Sequence, residues 1–132
     1  MDKTDHITSC TFEWHNCGLT YVENIKMVKT RILSSEIQVC FYNGYGLVNG
    51  KIWPLSDQQR QELFGFLDNC LHEWKTDDYS IDVCDGSSWE LKLFSKRKCL
   101  RNIQGTVENP PHGQEIRDMI TNIIGNDDCY VF

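Results

Sequence analysis

The architecture of the chain is indicated most directly by three consecutive segments: Tyr79-Ser-Ile-Asp-Val-Cys-Asp-Gly86, Ser87-Ser-Trp-Glu-Leu-Lys-Leu-Phe94 and Ser95-Lys-Arg-Lys-Cys-Leu-Arg-Asn-Ile-Gln-Gly-Thr-Val107. In the first two segments apolar and polar residues alternate with a period of two, which is typical of half-buried strands. The Asp85-Gly86 pair and the polar step at residues 95–98 are suited to tight turns. Because short links favour antiparallel neighbours, residues 79–107 predict three antiparallel strands.

Four further runs with the character of strands precede residue 54: residues 8–14, about 20–31, 37–42 and 47–53. In the second run Ile25 and Met27 alternate with polar residues, so it is predicted to form an opening hairpin with the first run. The last run is either one strand bent at Gly50 or a small hairpin, and Pro54 ends it.

Two helices are predicted, each preceded by proline. Ser56-Asp-Gln-Gln59 is a capping box that starts a helix over residues 56–74. A second helix over residues 110–124 has isoleucine or methionine at positions i, i+3, i+4, i+7 and i+8, and Gly125 closes it. The order of elements predicts one α+β domain over residues 1–132, with an antiparallel sheet of about six to seven strands and two helices packed on one face.

Composition limits the classes of function. The chain has 132 residues, 40% hydrophobic and 24% charged, which suits a single domain. Its formal net charge of −6 argues against sequence-independent binding to nucleic acid. No window approaches the roughly 20 apolar residues of a membrane helix, and the start of the chain has no signal-like run. We therefore expect a cytoplasmic protein without a membrane partner, whose seven cysteines are reduced thiols.

Part of the chain resembles a family of small uncharacterised bacterial domains. The shared features are Trp74 with Tyr79, the segment Asp85-Gly-Ser-Ser-Trp-Glu-Leu91, the step Ile103-Gln-Gly105, and Pro110-Pro111 before the last helix. The family is similar in having an Asp-Gly-x-x-Trp-x-Leu strand and a proline-led C-terminal helix. The resemblance covers roughly residues 56–124 and implies an α+β fold. It implies no activity, so no functional residue is transferred from it.

A metal site is not predicted, and no cofactor is expected. His6, Cys10, His15 and Cys17 are close together in sequence, which leaves zinc as the alternative. However, the chain has no Cys-x-x-Cys pair, and a strand over residues 10–14 would place Cys10 on the same apolar face as Phe12.

No catalytic residue is assigned, so the sequence favours a protein that is not an enzyme. Cys84 precedes the Asp85-Gly86 turn and could meet His72 or His112, but no signature of a cysteine enzyme surrounds it. General acid–base chemistry is the other alternative. Its candidate carboxylates, which solvated loops and outer faces also explain, are Asp77, Asp78, Asp82, Asp85 and Glu90.

Two groups of residues are candidates for binding. Lys96, Arg97 and Lys98 form a basic hairpin tip, which either protects a sheet edge or contacts an acidic partner or a phosphate. Tyr45, in the segment Asn43-Gly-Tyr-Gly46, and Trp53 offer aromatic side chains beside glycines, which suits a recognition loop or a plain turn.

The leading interpretation is a non-catalytic protein-interaction domain of the inhibitor, immunity or adaptor type, which presents a sheet face or a set of loops to another protein. The alternative is a small-molecule or nucleotide-binding module that holds its ligand between the sheet and the helices, near Trp89 and the basic hairpin. A hydrolase that uses Cys84 or the carboxylates is the third interpretation.

Overall fold

The structure, a computed structural model, describes residues 6–16, 26–43, 45–80, 87–106 and 110–125. Seven strands and two helices form an α+β fold, as predicted from the order of elements. They are β1 (Ser9–Asn16), β2 (Met27–Ile32), β3 (Glu36–Asn43), β4 (Gly46–Pro54), α1 (Asp57–Leu71), β5 (Asp78–Tyr79), β6 (Ser87–Ser95), β7 (Lys98–Thr106) and α2 (Gly113–Ile124).

The strands form one sheet in the order β4-β3-β2-β1-β6-β7-β5. The first four strands are an antiparallel meander. The second edge of β1 pairs antiparallel with β6, so the first strand of the chain lies at the centre of the sheet. Among the described strands, β4 and β5 are therefore at the two edges.

The prediction for the segment before β6 was wrong about its neighbour. Residues 79–84 were predicted to pair antiparallel with the next strand, but Tyr79 belongs to β5, which pairs parallel with β7. The rest of that predicted strand and the Asp85-Gly86 turn, residues 81–86, lie outside the described residues. The alternation that indicates a strand is a local property, whereas the choice of neighbour depends on contacts with β7 that are distant in sequence.

Tyr79, Gly105 and Trp89 form a cross-strand row that explains this arrangement. Tyr79 pairs with Gly105, and Gly105 pairs with Trp89. A Cβ atom on Gly105 would lie 2.5 Å from Cζ2 of Trp89, so the indole occupies the space of the missing side chain. The rings of Tyr79 and Trp89 are stacked, with centroids 6.2 Å apart and planes at 27°. The glycine thus lets aromatic rings from the two flanking strands meet.

One face of the sheet is buried in the hydrophobic core. On the central strands Phe12 is paired with Thr30 on one side and with Leu91 on the other, and all three are fully buried. The buried residues of both helices belong to the same core cluster; they are Leu63, Phe64, Leu67, Cys70, Ile116, Ile120 and Ile124. Each fully buried side chain of this size contributes about 1.5–3 kcal/mol of transfer free energy.

The ends of the helices follow the local sequence signals. The Oγ of Ser56 accepts from the N–H of Gln59 at 3.1 Å, and the Oε1 of Gln59 accepts from the N–H of Ser56 at 2.9 Å. The predicted capping box is therefore confirmed. The C-cap of α2 is Gly125, with φ +75°. The first helix is four residues shorter than predicted and the second is three residues shorter. Trp74 lies beyond the end of α1, where its Nε1–H donates to the carbonyl of Pro111 at 2.7 Å.

Of the described helices, neither has the length and apolar character needed to cross a membrane.

Two predictions about the N-terminal strands need correction. Residues 46–54 form the single strand β4, so the small-hairpin alternative is wrong. The register shifts between Phe41 and Tyr42, which pair with Asn49 and Leu47. In β2 the buried side chains are those of Val28, Thr30 and Ile32, so Met27 lies on the opposite face of the sheet.

Thr30 places a hydroxyl group in the core. Its side chain is 0% exposed, and its Oγ1 has no hydrogen-bond partner in the described part of the chain. We expect Thr30→Val to stabilise the domain by about 1 kcal/mol, because valine has the same shape and removes an unsatisfied polar atom. Urea unfolding measures the change in the free energy of unfolding. Thr11→Val is the control, because Thr11 lies on the opposite face of the sheet. A loss of stability in Thr30→Val would contradict this account of the hydroxyl.

Candidate functional site

The sheet face opposite the core, called the open face here, has polar residues in cross-strand rows over β2, β1 and β6. Arg31, Thr11 and Lys92 form one row. Because neighbouring strands are about 4.8 Å apart, the outer Cα atoms of a row are separated by about 10 Å. The rows therefore bring side chains from distant parts of the sequence within reach of one ligand.

Two more rows flank this one: Lys29, Glu13 and Glu90 on one side, and Ser9 with Phe94 on the other. The three rows line a pocket of about 450 Å³, together with the side chains of Leu33, Lys96 and Arg97. The pocket is named the open-face pocket below.

Ion pairs neutralise one end of the open-face pocket. Lys29 Nζ is 3.8 Å from Glu13 Oε1, and Lys92 Nζ is 3.4 Å from Glu90 Oε1. Such partly exposed pairs add at most about 1 kcal/mol to stability. Their effect on the pocket is electrostatic, because each lysine there already has a carboxylate beside it.

The other end of the pocket is positively charged. Arg31, Lys96 and Arg97 line it, and no ion pair joins any of the three to a carboxylate of the described residues. All three side chains are exposed. The pocket thus has a net positive end in a chain whose net charge is −6.

The hairpin between β6 and β7 holds two of these cations in place. Ser95 pairs with Lys98, so Lys96 and Arg97 are the two turn residues. Lys96 has φ +56°, a left-handed conformation that costs an L-residue about 1–2 kcal/mol and favours glycine. Its N–H donates to Thr8 Oγ1 at 2.6 Å, which ties the turn to the start of β1.

The structure separates the predicted binding residues into different places. Lys96 and Arg97 line the open-face pocket, whereas Lys98 begins β7 outside it. Tyr45 is fully exposed in the turn before β4, and Trp53 is half-buried against the core near the other end of that strand. Eight residues of strand span about 26 Å, so Tyr45 and Trp53 do not form one recognition loop.

Three other side chains of β4 are exposed and apolar: Leu47 at 63%, Val48 at 54% and Ile52 at 66%. Among the described strands, β4 has only β3 as a neighbour. Together with Tyr45 these residues are named the β4 edge. A long apolar edge strand is a template for pairing with another chain.

Trp89 and the basic hairpin lie on opposite faces of the sheet. Trp89 is 2% exposed on the core face, while Lys96 and Arg97 belong to the pocket on the open face. A ligand held against Trp89 on the core face would not contact the hairpin.

The residues considered for zinc are also separated. Within the described ranges no group of three or more metal-binding side chains occurs. Cys10 is fully buried on the core face, whereas His15, an odd number of residues away on the same strand, lies on the open face. His6 Nδ1 is 3.7 Å from Asp68 Oδ2, and Cys17 lies outside the described residues.

Two of the four described thiols are buried in the core and are poor nucleophiles. Cys10, Cys40, Cys70 and Cys99 are free. Burial raises the pKa of Cys70 to about 11 and the pKa of Cys10 well above its ordinary range. Since the thiolate is the nucleophile, these two buried cysteines are unreactive near neutral pH. Cys84, the cysteine considered for catalysis, lies outside the described residues.

The described carboxylates considered for acid–base chemistry have separate partners. Asp77 Oδ1 accepts from Arg101 Nε–H at 2.8 Å. Asp78 accepts from the N–H of Ser80 at 2.9 Å, and hydrogen bonds with Ser80 lower the pKa of Asp78. Glu90 pairs with Lys92, as described above, while Asp82 and Asp85 lie outside the described residues.

His112 joins the two helices through a pair of carboxylates. Its Nδ1 is 2.9 Å from Glu115 Oε1, and its Nε2 is hydrogen-bonded to Glu73 Oε2. Glu115, and after it Glu73, raises the pKa of His112 above its ordinary value, because each carboxylate accepts a hydrogen bond from the ring and so stabilises the imidazolium.

This contact predicts a pH-dependent part of the stability. Because the pKa of His112 is higher in the folded than in the unfolded state, its contribution is fully present below the unfolded pKa of about 6.5 and is lost as pH rises through the folded pKa. We expect the difference in unfolding free energy between wild type and His112→Gln to decrease as the pH increases through the folded pKa of His112. An NMR titration should give a lower His112 pKa in Glu115→Gln than in wild type, while the distant Glu62→Gln leaves it unchanged. An ordinary pKa in wild type would contradict the geometry.

Sequence reasoning missed part of the open-face pocket. Polar residues alternate with apolar ones along β1 and β2, and this alternation could have identified Thr11, Lys29 and Arg31 as open-face residues. Their approach to the basic hairpin depends on the pairing of β1 with β6, and no local pattern indicates that pairing.

No protein-family model matches the chain, and no curated protein is significantly similar to it. The resemblance to the bacterial domains stays a prediction.

Proposed function

We propose that this protein is a non-catalytic cytoplasmic interaction domain, of the inhibitor, immunity or adaptor type, and that it binds another protein along the β4 edge. The observation that supports this most is the set of exposed apolar side chains at Tyr45, Leu47, Val48 and Ile52.

The β4 edge suits the addition of a strand from a partner. β4 has nine residues and a single neighbour among the described strands, and a long edge strand of this kind suits the addition of an extended segment. Main-chain hydrogen bonds would supply affinity, and side chains at alternate positions would supply specificity.

The side chains of the β4 edge also extend the binding area over the open face. Leu47 pairs with Tyr42, and Ile52 pairs with Gln38, so both apolar side chains lie on that face. Single exposed apolar residues are common on protein surfaces. Three on one edge strand, with Tyr45 in the turn before it, are more than this ordinary scatter and favour an interaction site.

Photo-crosslinking in cells that produce the protein naturally tests this proposal. A photoreactive phenylalanine analogue at Val48 should give one discrete adduct with a different protein, and the same analogue at the exposed Gln61 of α1 should not. The double variant Leu47→Arg, Ile52→Arg should reduce the adduct about tenfold or more, since it removes two apolar contacts. Its unfolding midpoint should stay near wild type, because both side chains are exposed.

Three outcomes would contradict the proposal: equal adducts from Val48 and Gln61, no adduct from Val48, or an adduct that contains only two copies of this chain.

A further inference from the structure

We infer that the open-face pocket binds a small phosphate monoester, with the phosphate held by Arg31, Lys96 and Arg97 and the organic group placed against Phe94. This site is distinct from the β4 edge and does not depend on the proposed protein partner.

The position of Arg31 is not explained by edge protection. Lysines at a sheet edge discourage pairing with other sheets. Arg31 lies in β2, however, which has β3 on one side and β1 on the other. Its charge therefore does not protect an edge strand.

The charges of the three cations that would hold the phosphate are also not used within the described protein. Lys29 and Lys92 are paired with Glu13 and Glu90, but the three cations at the other end of the pocket have no such carboxylate. An anion would be attracted to that end rather than to the end where the ion pairs are already neutral. Two arginines favour phosphate, because the planar guanidinium forms two parallel hydrogen bonds with its oxygens.

The uncharged residues that line the open-face pocket suit the other groups of a phosphate monoester. The hydroxyl groups of Ser9 and Thr11 lie between the charged strands as further hydrogen-bond donors. Phe94 and Leu33 supply apolar surface beside the positive end. The volume of about 450 Å³ is within the range of small-molecule pockets.

The two-residue turn fixes the backbone at Lys96. A positive φ at the first residue of such a turn matches the twist of the two strands, and it places the lysine at the pocket.

An NMR titration of the full chain with phenyl phosphate tests the inference. We expect the amide signals of Arg31, Phe94, Lys96 and Arg97 to shift in a saturable manner. Arg31→Gln and Arg97→Gln should each weaken binding about tenfold, as expected for the loss of a charged hydrogen bond. Lys98→Gln is the matched control, since it removes the same charge from the same hairpin but outside the pocket.

A second titration with inorganic phosphate tests the contribution of the organic group. Inorganic phosphate should bind about fivefold or more weakly than phenyl phosphate, because it makes no contact with Phe94. Equal affinity for the two probes would overturn the assignment of the organic group. An equal loss of affinity in Lys98→Gln, or no saturable shift at the pocket residues, would overturn the site itself.

Discussion

Replacing Gly105 with alanine should destabilise the domain by about 3 kcal/mol, which is large for the addition of one methyl group. The new Cβ would lie 2.5 to 2.8 Å from three atoms of the Trp89 indole. The ring cannot move away cheaply, because it is buried and stacked on Tyr79. Urea unfolding followed by circular dichroism measures the loss.

A second substitution tests whether Trp89 causes that loss. In a Trp89→Phe background the shorter ring lacks the atoms that the Cβ would meet, so Gly105→Ala should cost about 1.5 kcal/mol less than in wild type. Gly65→Ala is the matched control. Gly65 is exposed within α1 with nothing near an added Cβ, and there the same change should stabilise the domain by about 0.5–1 kcal/mol. An undiminished cost in the Trp89→Phe background would rule out the contact as the cause.

Removing the Trp89 side chain should be the most damaging substitution of a single core residue, at about 3–5 kcal/mol for Trp89→Ala. The ring is 2% exposed, and Trp14 on the neighbouring strand is paired with it. Alanine would leave a large void between Tyr79 and the core, and only part of that void can collapse. Thermal and urea unfolding should both show the loss.

Trp53→Ala is the comparison for this prediction, because Trp53 is half-buried near the end of an edge strand. We expect it to cost less than half as much, since less of its surface is removed from water in the folded state. A midpoint near wild type in Trp89→Ala, or a greater loss in Trp53→Ala, would refute the placement of the two rings.

The elements specified by neighbouring residues could be predicted from the sequence. The reciprocal hydrogen bonds of Ser56 and Gln59 need only one turn of helix, and Gly125 ends α2 in the same local way. The alternation around Trp89 likewise predicted a strand with one buried face. What could not be predicted is the pairing of β5 with β7, because it depends on a contact between Tyr79 and Trp89 across Gly105.

The candidate site could be predicted only in part, for the same physical reason. Lys96 and Arg97 are adjacent in sequence, so their charge was evident. Arg31 reaches the same pocket through two strand pairings, β2 with β1 and β1 with β6, which involve residues far apart in the chain. The exposure of Leu47 and Ile52 depends on β4 being an edge strand, which is a property of the whole sheet.

The central position of β1 has a consequence for folding during synthesis on the ribosome. The meander from β1 to β4 consists of contacts between sequence neighbours, so it can form early. The other side of β1 must wait for β6, since Asn16 pairs with Ser87. A nascent chain that has produced α1 but not β6 therefore has open edges at both β1 and β4, and such edges recruit other chains. Pairing with β6 closes the open edge of β1, whereas β4 keeps β3 as its single neighbour among the described strands.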